Sequence, residues 1–342
     1  MSPEIPDDFA ALAPWAEANI EGFRGLRRVS KFSTGQSNPT FLVEAESGRY
    51  VLRRKPQGTL LKSAHMVERE YRAIAALRRA GYPVPEPLAL CEDLAVLGAV
   101  FYVMRFVEGR IFWDPALPEL ERGARAAIYD AMNEALAKLH LIDAAEIGLC
   151  DFGKPGGYFA RQVRRWSEQY RATETGAVAD MDRLIAWLQA HAPKDDGRVA
   201  LVHGDWRIDN MIFAEREPRL LAVLDWELST LGHPFADLAY QCMQWRLPNS
   251  SELRGLGGVD RAAEGLPTEE AYVAAYCRRM GLPGVPDWPF LIAFSFFRVA
   301  AIVQGVYKRA LDGNASNPER ARRMGAAVPL MARLAAEEIA RA

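Results

Sequence analysis

His203-Gly204-Asp205 opens a polar loop after the apolar run Leu201-Val202, and Asn210 stands five positions beyond Asp205. Asp225 closes the next apolar run, Leu220 to Leu224, and is followed by Trp226 and Glu227. A carboxylate, an amide and a second carboxylate in this order suit phosphoryl transfer from ATP to a hydroxyl. One carboxylate orients the hydroxyl and takes its proton, while the amide and the other carboxylate hold Mg²⁺ on the phosphates. Asp205 is therefore the expected catalytic residue, and Asn210 and Asp225 the expected metal pair. Mg²⁺ accepts few protein oxygens and keeps waters and phosphate oxygens around it, which one amide and one carboxylate satisfy. Taken singly, each of these residues is explained by turn or cap chemistry; their combination argues for a site. Asp209 reads as solvated, and Glu227 as either a second metal ligand or a helix cap.

The elements that must position them follow from hydrophobic periodicity. A leading helix is predicted over about 8–22. Strand-like segments at Leu26 to Phe32, Thr40 to Ala45 and Tyr50 to Arg54 form a meander. A helix follows, capped by Ser63 and running to Arg79, then strands near Glu86 to Glu92 and Ala99 to Phe106. Residues 26–106 thus read β-β-β-α-β-β. Beyond Glu108-Gly109 the pattern is mainly helical, at about 119–142, 155–173, 180–192, 235–245, 268–281, 287–311 and 317–341. Residues 248–267, rich in Gly and polar residues, read as a mobile loop. The fold class is α+β, with two lobes at 1–106 and 107–342.

This arrangement resembles the protein-kinase-like fold. More narrowly it is similar to the aminoglycoside phosphotransferase and choline kinase-like family, on His203-Gly204-Asp205, Asn210 and Asp225-Trp226-Glu227. Phe32-Ser33-Thr34-Gly35-Gln36-Ser37-Asn38, Tyr50 to Pro56, Leu231-Gly232-His233-Pro234 and Asp237-Leu238-Ala239 look closest to the branch fused in eukaryotes to acyl-CoA dehydrogenases. The resemblance implies a five-stranded antiparallel nucleotide lobe with one helix, a helical catalytic and acceptor lobe, and ATP with Mg²⁺. It implies a phosphate-anchoring cation at the end of the third strand. Protein kinases carry Lys there; here Arg53 stands in that place, and Lys55, on the same strand face, is the alternative. Glu70, beside the apolar stripe of Tyr71 and Ile74, is its expected partner, with Glu68 the other candidate. Ser33, Thr34 and Gly35 sit where the phosphate loop belongs, although GxGxxG is absent and a plain hairpin turn would also explain them. Met104, Arg105 and Val107 match the hinge, where adenine pairs with backbone at Arg105 and Val107. His203 and Asp237 are expected as supports: a ring tied to a backbone carbonyl or to Asp225, and a buried carboxylate taking loop amides. His65, His140 and His191 read as ordinary helix or surface histidines.

Composition narrows the partners. The net charge of −2 gives no basic field for nucleic acid. No uncharged apolar run of membrane-spanning length is evident, the acidic N-terminus lacks an apolar signal core, and the four scattered cysteines suit reduced thiols in the cytoplasm. Residues 246–342 carry 13 Lys/Arg against 10 Asp/Glu, which fits an anionic small-molecule acceptor better than a polycation. Arg246, Arg254, Arg278, Arg279, Arg298, Lys308 and Arg309 are available to it. The branch resemblance points to a hydroxyacyl-CoA; the alternative is an aminoglycoside, amino-alcohol or sugar. A rival of another class is a non-catalytic nucleotide-binding pseudokinase. The oligomeric state is open between monomer and homodimer.

Overall fold

The computed structural model describes residues 5–32, 38–56, 66–250, 253–313 and 318–341. Ser33, Thr34, Gly35, Ser63 and His65 lie outside the described residues. A single 3₁₀ turn, Asp7–Phe9, and the helix α1 (Leu12–Asn19) replace the longer leading helix. Strands β1 (Leu26–Lys31), β2 (Thr40–Ala45), β3 (Gly48–Arg54), β4 (Pro87–Cys91) and β5 (Phe101–Arg105) form one antiparallel sheet in the order β1-β2-β3-β5-β4.

Side chains alternate across a strand, and the alternation decides what this sheet does. Tyr50, Leu52, Phe101 and Val103 take the outer face and pack under Phe9, Leu12, Ala16, Ile20 and Phe23. Burying a leucine, isoleucine, valine or phenylalanine side chain there contributes about 1.5–3 kcal/mol. The register Arg53↔Tyr102 and Val51↔Met104 gives the inner face the opposite set. Helix α2 (Val67–Arg79) lies there, with Val67, Glu70, Ile74 and Leu77 buried at helical spacing. Glu70 thus occupies the inward stripe itself. A four-residue helix, α3 (Leu94–Leu97), unforeseen in the sequence, links β4 to β5. Asp93 Oδ1 accepts from the Ala95 amide at 2.9 Å, and Gly98 ends the turn in the left-handed region.

The remainder is helical: α4 (Arg122–Leu141), α5 (Tyr158–Thr173), α6 (Ala179–Ala190), α7 (Phe235–Gln244), α8 (Glu269–Met280), α9 (Trp288–Leu311), α10 (Pro318–Gly325) and α11 (Val328–Ile339). Two short ladders interrupt it. One pairs β6 (Ala200–Val202) with β9 (Thr230–Gly232), the other β7 (Met211–Phe213) with β8 (Leu220–Val223). The single helix expected over 317–341 is two, because the chain turns at Gly325–Ala327 and restarts with Pro329 in the first turn of α11, where a missing N–H costs nothing. The stretch expected as a mobile loop is irregular but anchored among the described residues. Leu256 and Leu266 are buried, and Asn249 Nδ2 donates to Gly255 O at 3.0 Å. Helix α9 has the length and apolarity of a membrane span, yet 78% of that window is buried inside the fold, as in a core helix.

Candidate active site

Strand β6 delivers His203-Gly204-Asp205 to the cleft, and one face of α7 grips that loop along its length. Asp237 accepts from the His203 amide at 2.6 Å and the Gly204 amide at 2.8 Å. Tyr240, one helical turn on, donates its hydroxyl to Asp205 Oδ1 at 2.6 Å. Gln244, a further turn on, donates to Trp206 O at 3.1 Å. Spacings of three and four bring all three side chains onto one face. Gly204 has φ +85°, and a Cβ there would lie 2.7 Å from Leu228 O, so the loop admits only glycine at this point.

Asn210 closes the other side. Its Nδ2 donates to Asp205 Oδ2 at 2.9 Å and Asp205 O at 3.0 Å, leaving Oδ1 for another partner. Its carbonyl accepts from the Leu224 amide at 2.8 Å, so the β7–β8 ladder brings Asp225 beside it. Asp225 has φ +63°, a conformation that Asp tolerates better than most residues and that clusters at functional sites. The His203 ring is held between Trp206 and Trp226, with centroids 5.7 and 4.7 Å away. Its Nε2 donates to Leu224 O at 2.8 Å while Nδ1 accepts from the Asp205 amide at 3.2 Å. Both nitrogens are spent on backbone; of the two supports expected for this ring, the carbonyl is the one present.

Across the cleft, Arg53 draws three carboxylates together. Its guanidinium lies 2.9 Å from Glu70 Oε2, 3.0 Å from Asp225 Oδ1 and 3.4 Å from Glu227 Oε2. Glu70 also accepts from the Trp226 amide at 3.2 Å, tying α2 to the Asp225 turn. Burial opposes the charge of Arg53, but Glu70, Asp225 and Glu227 outweigh it and hold the guanidinium firmly protonated. Burial pushes the Glu70 carboxyl up to about 7 against the pull of Arg53. Lys55 faces the same way but pairs with Glu68 at 2.7 Å, so the two cations take different carboxylates. Asn38 Nδ2 donates to Glu227 Oε2 at 3.3 Å. At the hinge, Met104 is buried, the Arg105 amide is used by Glu86 O at 2.8 Å, and Phe106 N–H donates to Arg49 O at 3.2 Å. The Arg105 carbonyl and the Val107 amide lie beyond those bonds.

Several residues depart from expectation. Asp209 is held by Arg207 and Arg254, each at 2.9 Å, rather than solvated. His140 is buried, with Nε2 3.3 Å from Asp237 Oδ2 and Nδ1 2.7 Å from Tyr276 OH. Burial works to raise the Asp237 carboxyl, but His140, His203 and the Gly204 amide hold it below the usual carboxylate range. Arg246 is occupied by Glu269 and Glu338, Arg279 by Asn133 and Asp130, and Lys308 by Asp312. The expected supply of free cations therefore shrinks. Tyr240 was absent from the candidates, although its place three residues after Asp237 on a helix was a readable signal.

Comparisons with known proteins bear on the family and the fold. The model of the APH phosphotransferase enzyme family matches residues 28–288. Mouse acyl-CoA dehydrogenase family member 10 is 50% identical over 312 residues, 91% of this chain but 29% of the mouse protein, so the chain spans under a third of that relative's length. A Ralstonia eutropha protein provisionally classed as an aminoglycoside phosphotransferase superposes with TM-score 0.86 at 46% identity, over 97% of this chain and 98% of that one. A spectinomycin phosphotransferase solved with ADP and spectinomycin shares the fold, with TM-score 0.63 at 12% identity over 96% and 97% of the two chains.

Proposed function

The chain belongs to the APH phosphotransferase enzyme family, and from that membership we propose an ATP- and Mg²⁺-dependent kinase acting on the hydroxyl of a hydroxyacyl thioester. Phosphoryl transfer to a hydroxyl of a small molecule follows from the family and the fold. The observation that carries the finer reading is the pair of clamps facing each other: Arg53 on Glu70 and Asp225, and Asn210 on Asp205.

In this reading Asp205 receives the acceptor hydroxyl. Tyr240 and Asn210 each hold one carboxylate oxygen of Asp205, which fixes its plane, so the hydroxyl meets a prepared base. Arg53 anchors donor phosphate oxygens, and Glu70 keeps its fork aimed into the cleft. The Arg105 carbonyl and the Val107 amide frame the adenine, over Met104. Residues up to about 106 supply the nucleotide side and the rest the catalytic and acceptor side. Glu70, Asp225 and Glu227 outnumber the single guanidinium among them, an excess of negative charge that suits a divalent cation. Asn210 Oδ1 and the Asp225 carboxylate are the hard oxygens that would hold Mg²⁺. When bound, Mg²⁺ would offset the charge of the donor phosphates.

ADP in the spectinomycin enzyme supports ATP as donor. The name of the mouse relative, an acyl-CoA dehydrogenase, supports an acyl thioester as acceptor. The test is incubation with Mg-ATP and a panel of hydroxyacyl-CoAs, hydroxy acids, choline and aminoglycosides, scored by the mass gain of one phosphoryl group. Asp205→Asn should lower turnover by about 10²–10⁴-fold while nucleotide still binds. Near-normal turnover in that variant would remove Asp205 from its role. A wild type that binds Mg-ATP yet phosphorylates nothing in the panel would leave the pseudokinase.

A further inference from the structure

Arg298 sits midway along α9, only 6% exposed. Its guanidinium lies 5.7 Å from the ring centroid of Tyr240 and 6.0 Å from that of Trp166. Among the described residues it forms no ion pair and no hydrogen bond. Arg246 holds two glutamates, Arg279 holds Asp130, and Arg207 and Arg254 share Asp209, while Arg278 and Arg309 stand exposed to solvent. A buried charge without a counter-charge is costly, and ring contacts return only about 0.5–2 kcal/mol. What remains is a guanidinium held for something that comes from outside the fold.

Its location says what that is. Tyr240 carries Arg298 against its ring and Asp205 on its hydroxyl, so one side chain separates the unpaired cation from the carboxylate that receives the hydroxyl. Arg207 and Arg254 share one aspartate nearby, which leaves this side of Asp205 cationic as well. Resting on the kinase reading above, we propose that Arg298 anchors the acceptor. Its fork takes a carboxyl-derived oxygen, either a free carboxylate or the carbonyl of a thioester, a few bonds from the hydroxyl presented to Asp205. Arg298 is then a specificity residue: it discriminates against polycations by charge and against simple alcohols by the missing oxygen.

The experiment compares wild type, Arg298→Met and Arg298→Lys on 4-hydroxypentanoate, its CoA thioester and pentane-1,4-diol. Turnover is measured with Mg-ATP, and acceptor binding by calorimetry with a non-hydrolysable nucleotide. Arg298→Met should raise KM for the acid or the thioester at least tenfold, with kcat within about threefold and Mg-nucleotide affinity unchanged. The diol should be indifferent to the substitution, and Arg298→Lys should recover part of the loss. The acid and the thioester arms identify which oxygen is read. Equal losses on all three acceptors, or wild-type and Arg298→Met affinities that coincide for both acid and thioester, would overturn the proposal. A wild type that binds the acid more tightly than Arg298→Met but phosphorylates no acceptor would defeat the kinase reading and leave the anchor standing. A thermal melt of each variant separates misfolding from lost recognition.

Discussion

Asp205 has one donor on each carboxylate oxygen, Tyr240 on Oδ1 and Asn210 on Oδ2. A hydrogen bond to a charged group contributes about 1.5–3 kcal/mol. Tyr240→Phe should therefore lower kcat by about 10- to 100-fold while KM for ATP stays within about twofold, since Tyr240 does not reach the nucleotide side. Steady-state kinetics with ATP as the varied substrate check this, and a KM effect as large as the kcat effect would refute it. At this scale the sequence told much about polar loops and little about partners. Asp205, Asn210 and Asp225 were legible because their spacing is local. Arg53 and Lys55 were equivalent by strand parity, and only packing separates them: Arg53 meets Glu70 inside the cleft and Lys55 meets Glu68. Asp209 was misread because one of its two cations, Arg254, is distant in sequence. His140 was misread because nothing near it announces Asp237.

Helix α7 acts as a ruler for the catalytic loop, and its strength depends on pH through Asp237. That carboxyl is held below its ordinary value, so its contribution to stability is present above about pH 4 and is lost as the pH falls through the folded-state value. Asp237→Asn should be markedly less stable than wild type at pH 7, because an amide offers one acceptor where two backbone amides and His140 need more. The gap should narrow below about pH 4; urea unfolding at pH 7 and pH 3 measures it, and a constant gap would contradict the assignment. Elements themselves were largely legible. β2 matched its predicted limits, and most helices fell within a few residues of theirs, because their periodicity is strong. The break at Gly325–Ala327 was not, since the apolar stripe continues through it and only close packing on Tyr307 marks the turn.

For the whole molecule, the two sides of the cleft are joined through charges rather than apolar contacts alone. Arg53 binds Glu70 from its own side and Asp225 and Glu227 from the other, and Asn38 adds a bond to Glu227. A ligand that binds only the folded chain raises its stability by mass action, about 2.7 kcal/mol at a hundredfold excess over Kd. Mg-ATP should raise Tm by several degrees, and Asp225→Ala should abolish the part of the rise that depends on Mg²⁺. Thermal melts with ATP in EDTA or in Mg²⁺ distinguish the two, and an Mg²⁺-dependent rise retained in the variant would exclude Asp225 as a ligand. The five-stranded sheet and the helical remainder followed from the order of elements. The acceptor side did not, because counting arginines cannot tell paired ones from unpaired ones.

Gly204 bears on heredity as well as on geometry. Its backbone angle strains any side chain, and the Leu228 carbonyl behind it must move to admit one, so no missense change at this codon is silent in the protein. In any natural copy of this gene, a residue other than glycine at that single position would therefore mark a loop built differently from this one.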